Sequence, residues 1–208
     1  METQSGIAEV LAGASGRLAT LPGVAVRLLE VIQGPHAEVQ EIADVLAADP
    51  ALSAEVLRLV NSSLYGLPRP ITTVRHAATY LGLNTVANLA LGFAVIRSFG
   101  GNGGESFDQR RFWQHSLLTA MAGRQLGILL AAEQAEDDFC RGLLHDIGVL
   151  ALAQAWPARY TQVRQTMRER AWPDFEAEAD VFGCDHMAVG SRLVEVWNLP
   201  PAFSVPIA

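Results

Sequence analysis

The chain has 208 residues, half of them apolar, and a formal net charge of −7. That length allows one large domain or two small ones around a substantial core. The acidic balance argues against a nucleic-acid backbone as partner, and no run of eighteen apolar residues offers a membrane span.

Other exclusions are chemical. All fifteen basic residues are arginines; this removes Schiff-base chemistry and any lysine contact to phosphate. Met1 to Val10 has acidic residues and no basic flank, unlike a signal peptide. Cys140 and Cys184 have no ligand-like or framework spacing, so they read as buried thiols in a reducing cytoplasm.

In chain order the pattern is helix after helix. Val24, Leu28, Val31 and Ile32 share one helical face, and Ile42, Val45 and Leu46 repeat it over residues 40–47. Asp49-Pro50 predicts a helix start, with Asp as N-cap and Pro in the first turn. That helix runs through Leu52, Val56, Leu59 and Val60 and ends near Asn61-Ser62. Thr72 or Thr73 caps the next, which stops around Leu81-Gly82; Asn84 is placed as the cap of another, reaching about Phe99.

The run Gly100-Gly101-Asn102-Gly103-Gly104 cannot continue a helix cheaply, and a subdomain junction is placed there. Asp108 then caps a long helix bearing Trp113, His115, Leu118 and Met121. Glu136-Asp137-Asp138 supplies acidic first-turn residues for the helix assigned to carry His145 and Asp146. Trp156-Pro157 and Trp172-Pro173-Asp174 open two more helices, and Gly183 closes the second. Asp185 caps a last helix with His186, Val189, Leu193, Val196 and Trp197. The predicted fold is an all-α multi-helix bundle of two packed helical subdomains. Its divisions are an N-terminal segment 1–16, a helical subdomain 17–99, a glycine-rich linker 100–106 and a second helical subdomain 107–208.

The candidate chemistry lies in the second half. His145 and Asp146 adjoin in Gly142-Leu143-Leu144-His145-Asp146-Ile147-Gly148, and His115 lies upstream in Phe112-Trp113-Gln114-His115-Ser116. A histidine and an aspartate in an apolar run can hold one divalent metal, with His115 as a third ligand and His186 as a fourth ligand or a phosphate contact. On one helix, however, adjacent side chains point about 100° apart and converge only at a shallow angle. The same residues can instead hydrogen-bond to one another and to helix ends. Asn61-Ser62-Ser63-Leu64-Tyr65-Gly66 is a second signal, readable as turn fixation or as a binding element. His36 and His76 read as surface residues, and Trp113 and Trp197 as core.

The whole pattern resembles the HDOD family, a divergent and usually non-catalytic branch of the HD superfamily. The resemblance rests on Leu21-Pro22, Asp49-Pro50-Ala51-Leu52, Leu57 to Ser62, Tyr65-Gly66, Ile71, Ala77 to Gly82, Phe112 to Ser116, Gly142 to Gly148, Glu178, Gly183 to His186, Val189-Gly190 and Trp197 to Pro200. It implies an all-helical fold whose second part is HD-like, and a role as a bacterial signalling or regulatory module. Related HD-GYP proteins hydrolyse cyclic di-GMP with two or three metals, and by that resemblance His115, His145, Asp146 and His186 occupy ligand-like positions. Two departures weaken catalysis. Val149 stands where the HD-GYP pattern has lysine, and the sequence stops at Pro206-Ile207-Ala208, about where family members carry a His-His pair; a chain truncated at its C-terminus is the expectation.

The resulting reading is a cytoplasmic regulatory module acting by protein–protein interaction or ligand sensing, without catalysis. Its expected partners are proteins of a bacterial signalling pathway or a small nucleotide, with no nucleic acid and no membrane. No cofactor is expected other than a divalent metal at the His/Asp set. The alternative is a metal-dependent phosphohydrolase acting on a cyclic dinucleotide or a nucleotide.

Overall fold

The computed structural model describes residues 20–35, 37–99, 107–130 and 135–203. The glycine run, His36, the N-terminal segment and the last five residues lie outside that set. The described residues form helices and turns with no strand. The helices are α1 (Gly23–Gln33), α2 (Val39–Ala47), α3 (Pro50–Val60), α4 (Val74–Leu81), α5 (Leu83–Ser98), α6 (Gln109–Leu129), α7 (Ala135–Leu144), α8 (Ile147–Ala155), α9 (Pro157–Arg170), α10 (Asp174–Phe182) and α11 (His186–Val196). A 3₁₀ turn, Pro201–Phe203, follows.

The residues group into two compact units. The first unit comprises Leu21–Ser98 and Ala120–Cys140. The second comprises, of the described residues, Thr20, Phe99 and residues 107–119 and 141–203.

The first unit is built around α5, which packs against α1, α3 and α4. Val86, Ala87, Leu89, Ala90, Leu91, Ala94 and Val95 are all buried, so α5 is apolar on every side. Such a helix belongs in a core and not at a surface. Asn84 lies inside its first turn and does not cap it: the helix already begins at Leu83.

Local chemistry sets the other boundaries. Asp49 caps α3, accepting from the Leu52 N–H at 3.0 Å, with Pro50 in the first turn. Thr73 caps α4 through the His76 N–H. Asn61 ends α3 and fixes the following turn. Its Nδ2 donates to the Leu57 and Ile71 carbonyls, and its Oδ1 accepts from the Ile71 N–H at 2.7 Å. All three of these bonds go to backbone, which accounts for the Asn61-Ser62 signal structurally.

Asp49 also takes the Arg97 guanidinium at 2.9 Å. The Leu52 N–H, and with it Arg97, holds the Asp49 carboxyl below its usual range, against the opposing effect of burial. Asp49→Ala should therefore cost about 1–2 kcal/mol at neutral pH, a lost cap plus a partly exposed ion pair. A carboxyl whose pKa is depressed by folding stabilises above its unfolded value, near 3.9, and loses that contribution as pH falls through the folded value. Denaturant titrations of wild type and variant should thus converge below about pH 4. An unchanged gap at pH 3 would show that the carboxylate charge plays no part.

The second unit is built around α8. Every residue of this helix except Gln154 is buried, and it packs against α9 and α11, with α10 on α9. Gln154 Nε2 and Gln109 Nε2 both donate to the Phe99 carbonyl. Phe99 packs against Trp197 with ring centroids 5.9 Å apart and planes tilted by 60°, and Phe107, Phe112 and Tyr160 add an aromatic cluster. Asp185 caps α11 through the Ala188 N–H at 2.8 Å. Gly183 closes α10 at φ +74°, a left-handed conformation that costs glycine nothing.

Candidate functional site

His145 and Asp146 do not lie on a helix. α7 ends at Leu144 and α8 begins at Ile147, and the pair forms the turn between them. Asp146 is the N-cap residue of α8, at φ −103° and ψ 20°. This corrects the single-helix assignment and removes its angular difficulty. With the helix broken, adjacent side chains need not splay by 100°, and both reach one point.

They meet His115 there, from the part of α6 that belongs to the same unit. His145 Nε2 lies 3.0 Å from Asp146 Oδ2, His115 Nε2 lies 3.4 Å from the same oxygen, and the two ring nitrogens are 3.2 Å apart. The His115 side chain is 59% exposed while His145 and Asp146 are mostly covered. One edge of the triangle thus opens to solvent.

Tautomers follow from the partners. His145 Nδ1 lies 2.9 Å from the Gly142 carbonyl, which can only accept, so Nδ1 carries the proton. Nε2 is left with its lone pair facing Asp146. Burial opposes a charge on His145, but the hydrogen bond and charge of Asp146 outweigh it and raise the imidazole above its ordinary value. Burial likewise pushes Asp146 up, and His145, His186 and His115 together pull it below the usual carboxylate range. A site where lone pairs and a carboxylate oxygen converge demands positive charge, supplied by a proton or by a cation.

A divalent cation fits. At metal–ligand bonds of about 2.1 Å, neighbouring ligand atoms stand roughly 3.0–3.4 Å apart, the range of the three edges here. Two imidazoles and a carboxylate suit a borderline ion of the zinc, iron or manganese kind. Fixing a ligand histidine through its other nitrogen on a carbonyl is the usual supporting arrangement. Three protein donors leave further coordination positions free.

His186 is beside this triangle and not within it. Its Nε2 faces the other Asp146 oxygen, Oδ1, at 3.8 Å. Its Nδ1 and its backbone N–H both point to Glu178 Oε2, at 2.6 and 2.8 Å. Burial disfavours charge on His186, but Glu178 and Asp146 raise it to about 9; burial also raises Glu178.

Glycine spacing positions His186. A Cβ on Gly148 would lie 1.9 Å from the His186 carbonyl oxygen and 2.9 Å from the Gly190 nitrogen. α8 and α11 therefore touch backbone to backbone, which brings the N-terminus of α11 to Asp146. Val149 lies within the buried face of α8, and His76 is exposed.

The HDOD domain family model matches residues 18–208, and the chain belongs to the HDOD family. An HDOD domain protein of unknown function from Geobacter sulfurreducens has a similar crystal structure. It is 28% identical with a TM-score of 0.78, and the match covers 95% of this chain and 66% of that one. A Shewanella amazonensis protein named as a candidate phosphohydrolase is 28% identical with a TM-score of 0.76, covering 92% of this chain and 68% of that one. An uncharacterized protein of Treponema pallidum (strain Nichols) is 25% identical over 206 residues; the chain spans 96% of its own length but 39% of that relative's.

Proposed function

We propose that this chain is a regulatory module of a bacterial signalling pathway, working in the cytoplasm by binding a protein partner or a small nucleotide and not by turnover. Its His115–His145–Asp146 site holds a divalent metal that orders the loop between α7 and α8 and presents an exposed coordination face. The observation that carries this reading is the pairing of a well-gathered donor triangle with an apolar residue at position 149, buried in α8. Hydrolysis of a phosphodiester draws on positive charge where the transition state gathers negative charge, and position 149, a lysine in the HD-GYP pattern, offers none here. No helix among the described residues is long and apolar enough to cross a membrane.

The second reading, a metal-dependent phosphohydrolase, is favoured by the same triangle with its open edge. There a metal would supply Lewis-acid activation, held by His115, His145 and Asp146.

Protein purified without chelator should retain a divalent metal that Asp146→Ala loses. Turnover of cyclic di-GMP or bis-p-nitrophenyl phosphate should stay below about 1 s⁻¹, beneath the ordinary enzymatic range. Faster turnover, abolished by Asp146→Ala, would replace the binding reading with the phosphohydrolase.

A further inference from the structure

We infer that Glu178 is a positioning residue of the His/Asp site. Through His186 it holds a third imidazole facing the second oxygen of Asp146, Oδ1. The inference rests on the metal reading above and extends it from three residues to five.

Glu178 is fully buried on α10. Taking a carboxylate out of water costs several kcal/mol unless its partners compensate, and here the compensation is incomplete. Oε2 accepts twice, from the His186 backbone N–H and from Nδ1. Oε1 is buried with no hydrogen-bond partner among the described residues. An apolar residue would fill the space at lower cost.

Helix capping does not account for this acid. Asp185 already caps α11 by accepting from Ala188 N–H. Satisfying the His186 N–H needs one acceptor and leaves the ring free to rotate. The added bond to Nδ1 constrains the ring. It sets the turn of the ring, with Nδ1 on Glu178 Oε2 and Nε2 facing Asp146 Oδ1 at 3.8 Å. The backbone end is fixed independently, since Gly148 lets α8 abut the His186 carbonyl. Position and orientation of the imidazole are thus set by separate contacts, the backbone at Gly148 and the ring at Glu178. Asp146 is addressed from both sides, by His145 and His115 at Oδ2 and by His186 at Oδ1. Supporting carboxylates of this kind raise metal affinity by holding the ligand ring.

Cobalt(II) alone is the probe, with affinity and visible spectrum measured by titration of the full chain. Glu178→Met keeps the volume without the acceptor and should weaken cobalt binding by about 10–100-fold with a changed spectrum. Glu178→Gln keeps an acceptor and should stay near wild type. In a His186→Ala background Glu178→Met should add little, because the two act as one unit. Wild-type affinity in Glu178→Met overturns the inference, as does an equal loss in both backgrounds, which is what a general structural defect produces. Should Glu178→Met fail to fold, ¹⁵N spectra of the wild-type histidine rings decide. Zinc should shift Nε2 of His186 along with those of His115 and His145 while Nδ1 of His186 keeps its proton; a shift confined to His115 and His145 overturns the inference. Failure of the wild type to bind cobalt or zinc at all refutes the underlying metal reading, and is distinct from a loss confined to the variants.

Discussion

Gly148→Ala is expected to lower stability by about 3 kcal/mol or more, at the upper end of what overpacking costs. In a chain of this length that is a fall of roughly 6–12 °C in Tm. The new methyl would stand 1.9 Å from a backbone carbonyl oxygen, and no rotamer change relieves a clash with main chain. α8 and α11 would have to separate, carrying His186 away from Asp146. Gly190→Ala is the control. Its Cβ would meet its nearest neighbours at 3.4 and 3.5 Å, ordinary contact distances, so calorimetry should show a much smaller change. Equal effects from the two substitutions would show that the tight approach at Gly148 is easily relaxed.

Arg124→Met in the first unit carries the second large effect. The Arg124 Nε donates to Glu136 Oε1 at 2.8 Å, an Nη donates to the Leu64 carbonyl at 3.1 Å, and the guanidinium lies 4.2 Å from the Tyr65 ring centroid. The Tyr65 hydroxyl donates to the other Glu136 oxygen at 2.8 Å. Burial and the nearby Glu136 hold that hydroxyl protonated far above its ordinary range. Removing the cation leaves the mostly covered Glu136 carboxylate without its charge partner and the Leu64 carbonyl without its donor. Breaking a fully buried pair costs about 3–5 kcal/mol. Glu136 is 27% exposed, so about 2–3 kcal/mol is expected here, by the same argument scaled for solvent access. Arg124→Lys should recover little, because an ammonium cannot donate in two directions while stacking on a ring. Full recovery by lysine in urea titrations would reduce the cluster to a simple charge pair.

The helical fold was legible because its signals are local. Asp49-Pro50, Thr73, Asp185 and Gly183 mark boundaries through contacts within four residues, and each does so in the structure. The central helix α5 was legible as an apolar run, while α8 was merged with the helix before it. The break at His145-Asp146 was not, since Gly142 to Gly148 contains no proline and keeps an apolar character that suits one continuous helix. The break goes with a tertiary contact, Asp146 turning toward His115 thirty-one residues upstream, alongside a local bond from His145 back to Gly142. Glu178 entered the sequence reading only as part of the family resemblance, with no role assigned. An acid between alanines on a short helix reads as solvated, and only the turn at Gly183 brings its carboxylate under His186. Glu136 read as a helix-dipole residue, which its position in α7 supports. Its pairing with Arg124 and Tyr65 spans 12 and 71 residues of sequence, and no periodicity encodes that.

The two buried thiols offer a use that their packing alone does not suggest. Cys140 and Cys184 are each 1% exposed, and they fall in different units, Cys140 in the first and Cys184 in the second. Burial pushes the Cys184 thiol up to about 11, so in the folded protein it is both covered and protonated, and a thiol reagent needs an accessible thiolate. Alkylation at each position therefore waits on an opening of the surrounding structure. With one cysteine replaced at a time, the labelling rate becomes a clock for each half of the molecule separately. Local and global opening could then be told apart in an unmodified buffer, without denaturant.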